Sequence, residues 1–129
     1  MLRKVVAGRG KRKVILLDSI SHADSGDAGH IVVSGSHGGA SSGEFAVAQP
    51  LAAAFFNDAG VGKDNAGIAA LGMLERKKIP AATVSHASAR IGDAQDAWEN
   101  GVLSHVNDRG RAAGLRVGDR LRDAVARLL

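Results

Sequence analysis

The sequence predicts an α/β fold: a small three-layer domain with a mainly parallel sheet of four or five strands and C-terminal helices. Three observations predict it. Short aliphatic runs recur along the chain without alternating apolar and polar residues, the pattern of strands buried on both faces. Segments with helical spacing and helix stops lie between them. Each apolar run is followed at once by a stretch rich in Gly, Ser, His and Asp, as at the carboxyl ends of parallel strands.

Four runs read as strands: Val14–Leu17, Ile31–Ser34, Ala52–Phe56 and Ala82–Ser85. Lys4–Ala7 is the candidate fifth, pairing with Val14–Leu17 across Gly8-Arg9-Gly10. Between the second and third runs, Ser42 to Gln49 leaves room for only a brief helix before Pro50. Asp64 to Ile79 reads as a longer helix, with Ile68, Leu71, Leu74 and Ile79 near one face and Pro80 as its stop. Asp93 to Asn100 reads as a short helix ended by Gly101, and Val102 to Ala113 as another ended by Gly114. Asp119 is placed to cap the last helix, which carries Leu121, Val125 and Leu128 at helical spacing.

A chain of 129 residues, 45% hydrophobic and 23% charged, suits one globular domain over residues 1–129. It has no cysteine, so thiol nucleophiles, disulfides and Cys-ligated metals are excluded. The longest aliphatic run near the N-terminus, Val14–Leu17, is too short for a secretory signal or a membrane span, and the cytoplasm is the expected compartment. The net charge of +4 is unevenly spread. Residues 1–13 form a basic segment with six cations and no acid, and the rest of the chain carries eleven cations against thirteen acids. A second basic group, Arg109, Arg111, Arg116, Arg120, Arg122 and Arg127, lies at the C-terminal end. Nucleic acid is the disfavoured partner, because the two groups would have to share a face and only three Phe and one Trp are present for stacking. The expected partners are a small-molecule ligand and, through unburied apolar stripes on the last two helices, a second copy of the chain.

Function is read from the loops. If the strands are parallel, Asp18, His37, Asp58 and His86 meet at one edge of the sheet. The stretch Gly35–Gly43 brings backbone close to a ligand through Gly35, Gly38 and Gly39, with Ser36 and His37 inside it. His37, Asp58, His86 and Ser36 are the candidate catalytic residues, since imidazole and carboxylate exchange protons near neutral pH and a hydroxyl serves as nucleophile or donor. Asn57, Lys63, Arg90 and Asp18 join the three glycines as candidate substrate-binding residues, with Lys63 and Arg90 suited to an anionic group. The bland alternatives are a tight turn for the glycines, a helix cap for Asp64 and an Arg90–Asp93 ion pair.

Known motifs narrow the chemistry. Ser34-Gly35-Ser36-His37-Gly38 departs from the nucleophile elbow G-x-S-x-G at its first glycine. Asn57 to Asp64 departs from the phosphate loop at its first and last defining positions, so there is no nucleotide-cofactor motif. A divalent metal held by His37 and His86 with Asp18 or Asp58 is compatible with the donors but set by no local spacing. The reading is a small-molecule enzyme acting on a polar or anionic metabolite by acid/base chemistry, of hydrolase, lyase or isomerase type. The alternative is a non-catalytic ligand-binding or regulatory module that oligomerises.

Overall fold

The computed structural model describes residues 1–129. Its centre is a six-stranded sheet: β1 (Arg3–Arg9), β2 (Arg12–Leu17), β3 (Ile31–His37), β4 (Ala53–Asn57), β5 (Ala81–Val84) and β6 (Leu103–Val106). The strands lie side by side in chain order. The inner pairs β2–β3, β3–β4 and β4–β5 are parallel; the outer pairs β1–β2 and β5–β6 are antiparallel. The sheet is therefore mostly parallel, with six strands where the sequence predicts four or five. Five helices accompany it: α1 (Ala40–Val47), α2 (Ala69–Arg76), α3 (Ala94–Asn100), α4 (Asp108–Ala112) and α5 (Leu121–Leu128). No helix is long and apolar enough to cross a membrane.

Parallel neighbours in chain order, joined by right-handed crossovers, put every crossover on one face of the sheet. Ile15, Leu17, Val32, Ala54 and Phe56 accordingly pack with Ile20, Ala46 of α1, and Ala70, Leu71 and Leu74 of α2. The alternate residues Val14, Leu16, Val33, Phe55 and Val84 face the other way, against Ala94, Ala97 and Trp98 of α3 and Leu121, Ala124 and Val125 of α5. Two cores thus sandwich the sheet, which explains why its strands read as unbroken apolar runs. Phe55 and Phe56, adjacent in β4 and fully buried, anchor one core each; complete burial of such a side chain is worth about 1.5–3 kcal/mol.

Four local expectations are corrected. The segment from Val102 is not one helix: Leu103–Val106 is β6, and Asn107 then caps α4 by accepting from the Gly110 N–H at 2.7 Å. The segment from Asp64 is broken, with a 3-10 turn over Lys63–Ile68 preceding α2, because Asp64 and Asn65 adopt left-handed backbone angles. Asp119 does not cap α5; Arg120 stands at that position, and the Asp119 carboxylate pairs with Arg127. The apolar stripes expected to drive self-association are consumed internally: Leu103, Leu121 and Val125 are buried in the core and Leu128 packs against it.

The basic segment is part of the sheet. It forms the β1–β2 hairpin, with Leu2, Val6 and Ala7 packed on the core. Arg3 reaches across to Asp27, 1% exposed, with guanidinium nitrogens 2.8 and 3.1 Å from the two carboxylate oxygens. Burial pushes the Asp27 carboxyl up, but hydrogen bonds from Arg3 and the Asp24 N–H outweigh it and hold the group below the usual carboxylate range. Arg3→Ala should cost about 1–3 kcal/mol, the penalty for stripping a partner from a buried polar group. Urea unfolding in a double-mutant cycle with Asp27→Asn measures it; additive losses would show that the pair is not coupled.

Candidate functional site

The four parallel strands end at one edge, and the residues just past their ends are the ones singled out from sequence. Most of their polar atoms hold the loops. Asp18, after β2, accepts from the N–H of Leu2 and of Ala94, each at 3.1 Å, tying the N-terminal strand to the start of α3. Ser36 Oγ accepts from the Ile20 N–H at 2.9 Å. Asn57 is buried; its side chain donates to the Ala89 carbonyl and accepts from the Ala59 N–H. Gly35 is buried against the Gly92–Asp93 loop, where an added Cβ would collide with that backbone. Gly38 is buried, donating to the Asn57 carbonyl at 2.9 Å and accepting from the Ala70 N–H at 2.8 Å. Arg90 is exposed and pairs with Asp93 at 3.5 Å, matching the bland alternative. Lys63 stands exposed at the start of the 3-10 turn.

Around Asp58 the arrangement changes. This carboxylate is 4% exposed. Its Oδ1 accepts from the Gly60 N–H at 2.8 Å, the His86 N–H at 3.1 Å and His86 Nδ1 at 3.2 Å. Its Oδ2 lies 4.0 Å from His105 Nδ1. Burial pushes the carboxyl up, but the hydrogen bonds from Gly60, Ser104 and His86 outweigh it, so the group is held below its usual range. A carboxylate only accepts, so His86 carries its proton on Nδ1 and presents the Nε2 lone pair outward from a side chain that is 60% exposed.

His37, at the end of β3, has the opposite tautomer. Its Nδ1 accepts from the Gly39 N–H at 3.1 Å, so the neutral ring bears its proton on Nε2. His37 and Gly39 line a cleft of about 350 Å³, whose other walls include Ala59, Val61, Ala66 and Gly67. One histidine at this edge is thus set to accept a proton and another to donate a hydrogen bond.

The loop after β4 is strained. Ala59, Gly60, Val61 and Gly62 all have positive φ, and Asp64 and Asn65 follow suit at 55° and 58°. Left-handed backbone costs a non-glycine residue about 1–2 kcal/mol. The loop is held closed by the Asp58 side chain and by Gly67, which donates to the Val61 carbonyl at 2.6 Å and packs where a Cβ would overlap the Asp58 carbonyl.

Sequence reasoning missed His105, Ser104 and Thr83. In the β5–β6 pairing the register shifts between Thr83 and Val84, so Ser104 is an extra residue in β6. Such a bulge turns neighbouring side chains to one side, and Thr83 Oγ1 lies 2.9 Å from Ser104 Oγ and 3.4 Å from His105 Nδ1. A second groove, about 430 Å³, opens there between α2 and β6, with Leu71, Glu75, Ser104 and His105 among its walls. The overlooked signal is Asn107-Asp108, a helix start that detaches the residues before it from the helix after it.

Asp58, His86 and His105 come nearest to a metal-ligating set. Oδ1, however, already accepts three hydrogen bonds, and no three His or acidic side chains converge as ion ligands do. No protein-family model, curated protein or solved structure matches the chain.

Two outcomes test this geometry. The depressed Asp58 carboxyl contributes stability that is fully present above the unfolded carboxyl value near 3.8 and is lost as pH falls through the lower folded value. Asp58→Asn should therefore be less stable than the parent at neutral pH, with the gap closing under acid; denaturant midpoints across pH measure it, and a constant gap would contradict the assignment. Gly67→Ala should destabilise by about 2 kcal/mol or more through strain against the Asp58 carbonyl, whereas thermal unfolding unchanged by that methyl group would show that the loop yields.

Proposed function

We propose that this chain is a small-molecule enzyme that transfers protons on a polar or anionic metabolite, in a hydrolase, lyase or isomerase type of reaction. The Asp58–His86 pair carries the reading. Asp58 fixes the tautomer and orientation of His86 and stabilises the imidazolium that forms when Nε2 takes a proton. His37, with its proton on Nε2 and its ring on the neighbouring cleft, is the complementary hydrogen-bond donor to the charge that develops on the substrate. Lys63, on the same exposed loop, supplies the charge that attracts an anionic substrate.

The strained loop supports the same reading. Left-handed non-glycine residues persist only where surrounding contacts over-determine them, and they cluster at sites of chemistry or ligand clamping. Ser36 fits a nucleophile less well, because its oxygen accepts from the Ile20 N–H and no imidazole is bonded to it. Asp18, Asn57, Gly35 and Gly38 belong in this mechanism as supports for the loops, and Gly39 as part of the cleft wall.

A panel of small hydroxy acids, oxo acids, amino acids and phosphate esters, followed by proton NMR in deuterated buffer, tests the proposal through turnover or exchange of a carbon-bound proton. At least one compound should react. His86→Ala should lower that rate by about 10²–10⁴-fold, the usual loss for a general base, and His37→Ala by about 10²–10³-fold, the usual loss for one hydrogen-bond donor to developing charge. Circular dichroism should show both variants folded. Binding without turnover that survives both substitutions would favour a non-catalytic binding module instead.

A further inference from the structure

We propose that the tip of the β1–β2 hairpin binds the oligophosphate group of a small molecule, at the amino edge of the sheet and away from the candidate site. Arg9, Lys11 and Arg12 surround a notch of about 600 Å³ with Ala28, Gly29 and His30. Arg12 opens β2 and His30 immediately precedes β3, which places the notch at the amino ends of the parallel strands. Its size falls in the range of small-ligand sites, and its alanine and glycine wall leaves the space between the cations open.

The condition of these cations sets them apart. The six arginines of the C-terminal group are all engaged. Arg109 pairs with Glu75, Arg111 with Asp108 and Arg127 with Asp119. Arg116 and Arg120 donate to backbone carbonyls, and Arg122 lies over the Trp98 ring at 5.3 Å. At the hairpin tip, Arg9, Lys11, Arg12 and Lys13 fall within five residues and none forms an ion pair. The side chains of Arg9, Lys11 and Lys13 make no hydrogen bond, while Arg12, like Arg116 and Arg120, donates to a backbone carbonyl, that of Leu128 at 3.4 Å. The nearby acids are taken, since Asp24 and Asp27 both lie against Arg3. Clustered like charges repel one another, and a multiply charged anion in the notch relieves that repulsion.

The same facts choose a small ligand over a nucleic acid. The wall has no Phe, Tyr or Trp on which a base could stack, and its one ring, His30, is tied back by accepting from the Lys13 N–H at 3.0 Å. The C-terminal arginines that would extend the patch into a stripe are held by their own partners.

Inorganic triphosphate, titrated into the full chain at physiological salt and followed by amide NMR, tests the site. One-to-one saturable shifts confined to residues 9–13 and 28–30 are expected. Arg9→Gln with Arg12→Gln should weaken binding about tenfold or more, since each charge-assisted hydrogen bond contributes substantially. Lys11→Gln, at the turn, should weaken it less while leaving the fold untouched. Lys77→Gln with Lys78→Gln, exposed lysines elsewhere, should leave the affinity unchanged. Absent or non-saturable shifts, or shifts centred on the carboxyl edge, would overturn the proposal. So would oligonucleotides that bind more tightly than triphosphate with affinity rising with length.

Discussion

Backbone N–H groups leaving a buried parallel sheet must find partners, and at the carboxyl edge of this sheet side chains at the strand ends provide them. Asp18 takes two, Ser36 and Asn57 one each, and Asp58 two. An unpaired group in such a place costs about 1–3 kcal/mol, a large share of the margin of a small domain. The loops therefore depend on these polar atoms, and the cleft exists because the loops are held. Asp58 belongs to both systems, since it closes the loop after β4 and orients an imidazole.

That double use explains how much of the site was legible in the sequence. Polar residues after apolar runs mark the carboxyl edge, and Asp18, His37, Asp58 and His86 do share it. The pattern does not separate a carboxylate that holds backbone from one that holds an imidazole, because both need the same residue in the same place. Asp18 and Asp58 look alike in the chain. Only the fold shows that one faces two N–H groups and the other an imidazole as well.

The fold was legible where burial is two-sided and hidden where it is not. Val14–Leu17 and Ile31–Val33 face a core on each side and read as strands at once. Leu103–Val106 is an outer strand with a bulge, so Ser104 and His105 interrupt its apolar character and the run merges with the helix that follows. The break before α2 was hidden for another reason. Ile68, Leu71 and Leu74 keep helical spacing, while the left-handed turn at the exposed Asp64 and Asn65 leads into Gly67, whose N–H bonds the Val61 carbonyl, a contact no local pattern reports.

Ala59 and Val61 carry an evolutionary consequence. Glycine would relieve left-handed strain at both positions, and selection for stability alone would favour it. The chain instead places a methyl and an isopropyl group there, and both line the cleft beside His37. Random drift under a screen for folding alone should convert these two positions to glycine, while drift under a screen for function should keep their side chains. The identity of residues 59 and 61 then becomes a marker, readable in any diverged population of this chain, of whether the cleft is still in use.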